Sequence, residues 1–224
     1  PVRNTGMHLR ADFSASVALD TLSLPWLPSP DGSVRRRMLD RIGDEVARAT
    51  SIVRYPPGSR FPPHSHGLGE EFLVLDGVFS DEHGDYPPET YVRNPPGSAH
   101  APRSDAGCTL FVKLRQMPPG EDRHLRIETG SGPWRPWRGL QRLDLFGADY
   151  ETVFMIGSGD RPVALEPEPA AGFEALVLAG SLRTDGEAHG PMTWLRRPST
   201  VGLSLASDTR LWIKTGHLSG GTPE

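Results

Sequence analysis

Apolar and polar residues alternate over short stretches of this chain and seldom recur at the 3.6-residue spacing of an amphipathic helix, which is the pattern of strands. Residues 8–20 alternate weakly, with Leu9, Ala11 and Phe13 set against His8, Arg10 and Asp12. Pro25, Pro28, Pro30 and the Asp31-Gly32 pair mark a loop after them. Alternation over 34–42 predicts a strand, Gly43-Asp44 a hairpin turn, and the β-branched stretch 46–55 a second strand that ends at Pro56-Pro57-Gly58. The nearly continuous apolar run over 71–79 predicts one buried strand, and 81–88 a polar turn. Further strands are predicted at 91–94 and 109–114. Many short strands at close intervals imply a sandwich or a barrel.

The pattern then repeats. Phe72-Leu-Val-Leu-Asp-Gly77 matches Ala175-Leu-Val-Leu-Ala-Gly180 at an offset of 103 residues, and Tyr91-Val-Arg-Asn-Pro95 matches Trp194-Leu-Arg-Arg-Pro198 at the same offset. Thr109-Leu-Phe-Val-Lys113 matches Arg210-Leu-Trp-Ile-Lys214 with the offset slipped by two. Three matches in one order indicate two copies of a single all-β unit. The boundaries expected are 1–117 for the first unit with its N-terminal strands, 118–138 for a connector rich in proline and glycine, and 139–224 for the second unit; 124–129 is a candidate strand within the connector.

Composition fits this picture. The 224 residues include 25 glycines and 23 prolines, about a fifth of the chain, which argues against a helical bundle. The hydrophobic fraction of 36% is enough for a core and argues against disorder. The net charge of −4 offers no basic surplus for nucleic acid, and no run of eighteen apolar residues suggests a membrane span. The single cysteine, Cys108, rules out an intramolecular disulfide, a zinc finger and a CxxC redox pair. A cytoplasmic location is the expectation.

The candidate chemistry lies in the first unit. His64 and His66 are two apart in an extended segment and so project to one face. Gly67-Leu68-Gly69 permits a reversal that brings Glu70 back as the next strand begins, and His100 follows another Pro/Gly turn. Three imidazoles and one carboxylate suit a divalent transition metal and disfavour Cu(I) or an iron–sulfur cluster. Glu70 is preferred to Glu71 because it leaves three residues after His66 and shares a face with Phe72 and Val74. In the second unit the offset of 103 puts Pro167, Pro169, Phe173 and Leu203 where the first has His64, His66, Glu70 and His100, so that unit is expected to be metal-free.

The intervals Gly58, His64, His66, Glu70, Gly77 and Pro95, Gly97, His100 resemble the two motifs of the cupin superfamily. Glu89 and Ser104 depart from the usual glycine and asparagine of the second motif, at positions that are not metal ligands in the family. The resemblance implies a tandem cupin, two double-stranded β-helix (jelly-roll) barrels of which the second is degenerate. Over about residues 46–117 the chain looks like the cupin-like domain of ChrR-type anti-sigma factors, in the run from Glu70 to Pro88, in Tyr91 to His100 and in Gly107 to Gln116. In that family the equivalent histidines and glutamate bind zinc, and the domain responds to singlet oxygen and organic peroxides to control release of a sigma factor. The resemblance therefore implies a regulatory or sensing protein holding one divalent metal, zinc first and iron, manganese or nickel as alternatives, with a small-molecule ligand in the first barrel; since cupins often dimerise through edge strands, it also implies a homodimer, with the N-terminal strands as the candidates for pairing. The CxxC zinc module of ChrR-type regulators does not occur in these residues, which argues against direct sigma-factor binding by that mechanism. The alternative is an Fe(II)-dependent dioxygenase acting on a β-diketone-like or phenolic substrate, as in a related group of cupins.

Other residues fall to structural readings. His83 reads as a solvated turn residue and Cys108 as a small core residue. Arg54, Arg93 and Arg115 read as exposed strand arginines, with the lining of an acidic-substrate cavity as the alternative. Trp26, Trp134 and Trp137 are expected in the core or a lid, and His8, His124, His189 and His217 are assigned no role.

Overall fold

The short apolar runs fold as strands almost throughout the computed structural model, which describes residues 6–165, 172–199 and 202–218. Among the described residues the one helical turn is the 3-10 turn Thr21–Ser23, and no helix is long and apolar enough to cross a membrane.

The chain forms two compact units: residues 1–11 with 24–131, and residues 12–23 with 132–224. In the first, a large antiparallel sheet runs His8–Leu9, Arg35–Ile42, Arg48–Tyr55, Cys108–Leu114, Glu70–Gly77, Thr90–Asn94, Leu125–Glu128, with Leu27–Pro28 paired to Arg35–Ile42. A smaller sheet holds Gly84–Tyr86, Phe79–Asp81, Arg103–Ser104 and Ser59–Arg60, and a two-stranded ladder pairs Ala99–His100 with His64–Ser65. Alternation places Phe72, Val74, Leu110 and Val112 in one apolar cluster with Val53, Phe79, Tyr86, Val92 and Cys108, the core of a jelly-roll barrel. Leu73, Glu71, Phe111 and Lys113 occupy the intervening positions and are also buried. There Arg93 donates to Glu71 at 2.6 Å, and Lys113 Nζ to Thr50 Oγ1 at 3.0 Å.

The second unit repeats the order: Arg135–Trp137, Leu140–Ala148, Glu151–Gly157, Arg210–Thr215, Phe173–Ala179, Thr193–Arg197, Val17–Asp20, with a smaller sheet of Val163–Leu165, Leu203–Leu205, Leu182–Thr184 and Glu187–His189. Its core includes Phe154, Ile156, Phe173, Val177, Leu195, Leu205 and Ile213. A register shift interrupts the pairing with the central strand in both units, between Thr109 and Leu110 in one and between Val177 and Ala179 in the other. The two copies of one all-β unit expected from the repeat are thus observed, and each is the jelly roll that the resemblance implied.

Three local expectations change. The run 71–79 is two strands in different sheets, because Gly77 turns the chain at a φ of +71°. A Cβ at that position would lie 2.1 Å from the Gly107 carbonyl oxygen, so only glycine fits. The expected turn 81–88 instead overlaps a hairpin of Phe79–Asp81 with Gly84–Tyr86. Residues 12–23, placed by sequence with the first unit, join the second, where Val17–Asp20 pairs with Thr193–Arg197. Weak alternation marks an edge strand but carries no information on which sheet it completes. The segment 118–138 likewise contributes an edge strand to each unit, Leu125–Glu128 and Arg135–Trp137.

Candidate metal centre

Two short strands bring the histidines together. His100 lies directly opposite His64 in an antiparallel pair, with Ala99 opposite Ser65. Beyond the pair, the His66 N–H donates to the Ser98 carbonyl at 2.9 Å, and the Gly97 N–H to the His66 carbonyl at 2.8 Å. The return is a turn in which the Ser98 N–H donates to the Pro95 carbonyl at 3.0 Å, with Pro96 and Gly97 at its centre and Gly97 at a φ of +82°. Proline followed by a glycine of positive φ is the chemistry of a type II turn.

The three rings make a triangle, with centroids 5.1 Å apart for His64–His66, 5.1 Å for His64–His100 and 4.8 Å for His66–His100. One ring nitrogen from each lies within 4.8 Å of the other two. Glu70, the first residue of its strand, presents Oε2 at 3.5 Å from His66 Nε2 and 3.6 Å from His100 Nε2. Asn94 Nδ2 donates to the same oxygen at 3.2 Å. Gly69, at a φ of +77°, precedes Glu70, and Met117 Sδ fills the space a side chain there would need. Glu71 faces the other way and pairs with Arg93, so of the two glutamates only Glu70 faces the histidines.

In His64 and His100, hydrogen bonding fixes which nitrogen carries the lone pair. His64 Nδ1 lies 3.3 Å from the Pro62 carbonyl oxygen, which only accepts, so Nδ1 carries the proton. His100 Nδ1 lies 3.2 Å from Asp81 Oδ2. His66 Nε2 and His100 Nε2 are buried and have no hydrogen-bond partner. Two buried ring nitrogens without partners beside a carboxylate are the arrangement a cation would satisfy, and the residues present fit a divalent metal ion.

The electrostatics separate the two buried rings. Burial pulls the His66 pKa down, with the neighbouring histidines adding to it against the pull of Glu70. Burial has the same tendency at His100, but the hydrogen bond to Asp81 and the charges of Glu70 and Asp81 outweigh it and raise the pKa. At Asp81 burial is outweighed by hydrogen bonds from His100, the His83 N–H and Tyr86, which hold the carboxyl below its usual range.

Glu70, His66 and His100 are buried, whereas His64 is exposed and leaves the centre open on one side. Aromatic rings flank the site: Phe79 is 5.8 Å from His100, and Tyr55 packs edge-on against Phe61 at 5.1 Å and Phe79 at 5.6 Å. Burial and the charge of Glu70 push the Tyr55 phenol up.

Asp81, Tyr86 and Asn94 escaped the sequence reading. Asp81 falls where a polar turn is expected, and only the reversal at Gly77 turns it toward His100. The remaining candidates divide. His83 is an exposed turn residue and Cys108 a free, buried core thiol. Arg54 is exposed and lies 4.2 Å from the Trp26 ring. Arg93 is fully buried in its ion pair, contrary to the exposed position expected. Trp26, Trp134 and Trp137 are only half-buried, and His8 and His124 are exposed. His189 and His217 have specific partners, Thr184 Oγ1 at 2.8 Å and Glu174 Oε2 at 2.9 Å. In the second unit Pro167 and Pro169 lie outside the described residues, while Phe173 and Leu203 sit in or against the apolar core.

Residues 14–118 match the family described as the ChrR cupin-like domain. No curated protein matches the chain. Similar solved structures include a protein proposed to be a dioxygenase from Nostoc punctiforme PCC 73102, with TM-score 0.73 and 14% identity over 93% of this chain and 86% of that one. YlbA from E. coli superposes with TM-score 0.70 and 11% identity over 98% of this chain and 96% of that one. The pirin YhhW from E. coli, solved in complex with nickel(II), gives TM-score 0.68 and 11% identity over 90% of this chain and 98% of that one. These likenesses show the fold, and the fold is the cupin fold.

Proposed function

We propose that this tandem cupin, ChrR-like over residues 14–118, is a sensing or regulatory protein responsive to oxidants or small molecules, in which His64, His66, His100 and Glu70 hold one zinc ion. The observation that carries the reading is the pair of buried nitrogens, His66 Nε2 and His100 Nε2, left without partners beside Glu70. Three imidazoles and a carboxylate form a borderline donor set that suits zinc. When bound, the ion supplies a positive Lewis-acid centre. The chain does the rest: Pro62 and Asp81 aim the lone pairs of His64 and His100, Asn94 orients Glu70, and Phe79 shields one flank. Exposed His64 leaves an approach for a small molecule entering the first barrel.

The same opening supports a second reading, an Fe(II)-dependent dioxygenase for a β-diketone-like or phenolic substrate. Elemental analysis of the full chain, expressed and purified without added metal, tests both. Stoichiometric zinc with no oxygen consumption supports sensing. Oxygen uptake by the Fe(II)-loaded chain with a β-diketone supports the dioxygenase. Less than a tenth of an equivalent of any divalent metal, together with no binding of added zinc, overturns both readings.

A further inference from the structure

The Asp81 carboxylate is 5% exposed and collects three donors: the Tyr86 hydroxyl at 3.0 and 3.2 Å from its two oxygens, the His83 N–H at 2.8 Å, and His100 Nδ1 at 3.2 Å. Tyr86 is itself buried, and Arg126 lies over its ring at 4.6 Å. Arg103 donates to the Asp81 main-chain carbonyl at 3.0 Å, so both the backbone and the side chain of Asp81 are held. An ionised carboxylate can only accept, and two of its partners can only donate to it, so the His100 contact requires a proton on Nδ1. In neutral His100 the lone pair then sits on Nε2, the buried atom that faces Glu70 and has no other partner.

We infer that Asp81 is a positioning residue of the metal centre, which locks His100 in its Nδ1–H tautomer and ring orientation through a Tyr86–Asp81–His100 chain of hydrogen bonds. The inference rests on the metal-site reading above and adds to it a residue outside the ligand set. A carboxylate behind a ligating imidazole makes the imidazole a better donor, and its loss commonly costs 10–100-fold in metal affinity. Asp81→Asn is the informative change. Its one carbonyl oxygen cannot serve three donors, and if its NH₂ turns toward His100, the ring must accept at Nδ1 and carry its proton on Nε2, where no metal can bind.

The test uses the full chain in two measurements. Nitrogen-15 NMR of the metal-free protein, at a pH raised until the His100 ring is neutral, reads its tautomer directly: Nδ1–H is expected in the wild type and a shift toward Nε2–H in Asp81→Asn. Chelator competition with zinc should then show an affinity about 10–100-fold lower for the variant, with circular dichroism unchanged. A wild-type His100 protonated on Nε2 overturns the inference even if the variant fails to fold. So does a folded variant that keeps both the tautomer and the affinity. A wild type that binds no zinc defeats the proposed function alone, because the tautomer measurement needs no metal and still judges Asp81.

Discussion

His64 and His100 stand opposite each other in a ladder only two residues long, although 36 positions separate them in sequence. The ladder is held at its open end by the turn through Pro96 and Gly97 and by the hydrogen bonds that His66 exchanges with Ser98 and Gly97. The geometry of the candidate centre therefore depends on this long-range pairing and on the Pro95–Ser98 turn beside it.

Replacing either buried ring should empty the centre. His66→Ala and His100→Ala each remove a nitrogen that faces Glu70, and each should lower bound metal to well under one equivalent by elemental analysis. Full retention of metal in either variant would show that the ligands lie elsewhere.

Two glycines with the same φ sign should respond differently to alanine. At Gly97 a Cβ meets nothing within 4 Å, so Gly97→Ala carries only the backbone penalty of a positive φ, about 1 kcal/mol. At Gly77 the same atom would lie 2.1 Å from a main-chain oxygen, and Gly77→Ala should cost more than about 3 kcal/mol. Thermal melts of the two variants check this, and equal midpoints would contradict it.

The two adjacent glutamates should separate binding from stability. Glu71→Gln leaves Arg93, 0% exposed, facing a neutral partner on the side away from the histidines. Breaking a buried pair from one side costs about 3–5 kcal/mol, so the melting temperature should fall while zinc affinity persists. Glu70→Gln should do the reverse, with weaker zinc binding and a smaller change in the melt. Urea unfolding alongside chelator competition reads both effects.

Cys108 should be slow to react. Burial pushes its thiol up to about 11, so at pH 8 it is almost entirely protonated, and the thiolate is the reactive form. A thiol reagent at pH 8 should label it only in denaturant. The linkage has a definite sign: the folded pKa is the higher, so the stabilising contribution is complete below the unfolded value near 9 and is lost as pH rises through about 11. Melts from pH 8 to 11 should show Cys108→Ala losing less stability over this range than the wild type.

The gathering of His64, His66, His100 and Glu70 was readable in the sequence because it depends on local geometry. His64 and His66 share a face by alternation, Glu70 follows a glycine turn, and His100 follows Pro95 and Gly97 at short range. The repeat was readable because both copies use the same apolar strands. Asp81 and Tyr86 were not, since their roles depend on the strand after Gly77 leaving one sheet for the other. Arg93 was misjudged because charge suggests exposure, whereas its partner Glu71 sits on the neighbouring strand in the buried face. The edge strand Val17–Asp20 was assigned to the wrong unit because its partner lies far along the chain.

That edge strand bears on the order of folding. Arg197 donates to the Val17 carbonyl across 180 residues of chain, so the contact cannot form until residue 197 has been synthesised. Pairings of such separation are the slow steps of folding, because the closure entropy is paid before the contact returns anything. On the ribosome the first barrel can assemble as soon as residue 131 has emerged, while residues 12–23 wait for their partner strand Thr193–Arg197. A chain cut after residue 131 would keep the whole candidate metal centre but carry those twelve residues without their sheet, so a clean isolated barrel needs them removed and residues 11 and 24 rejoined.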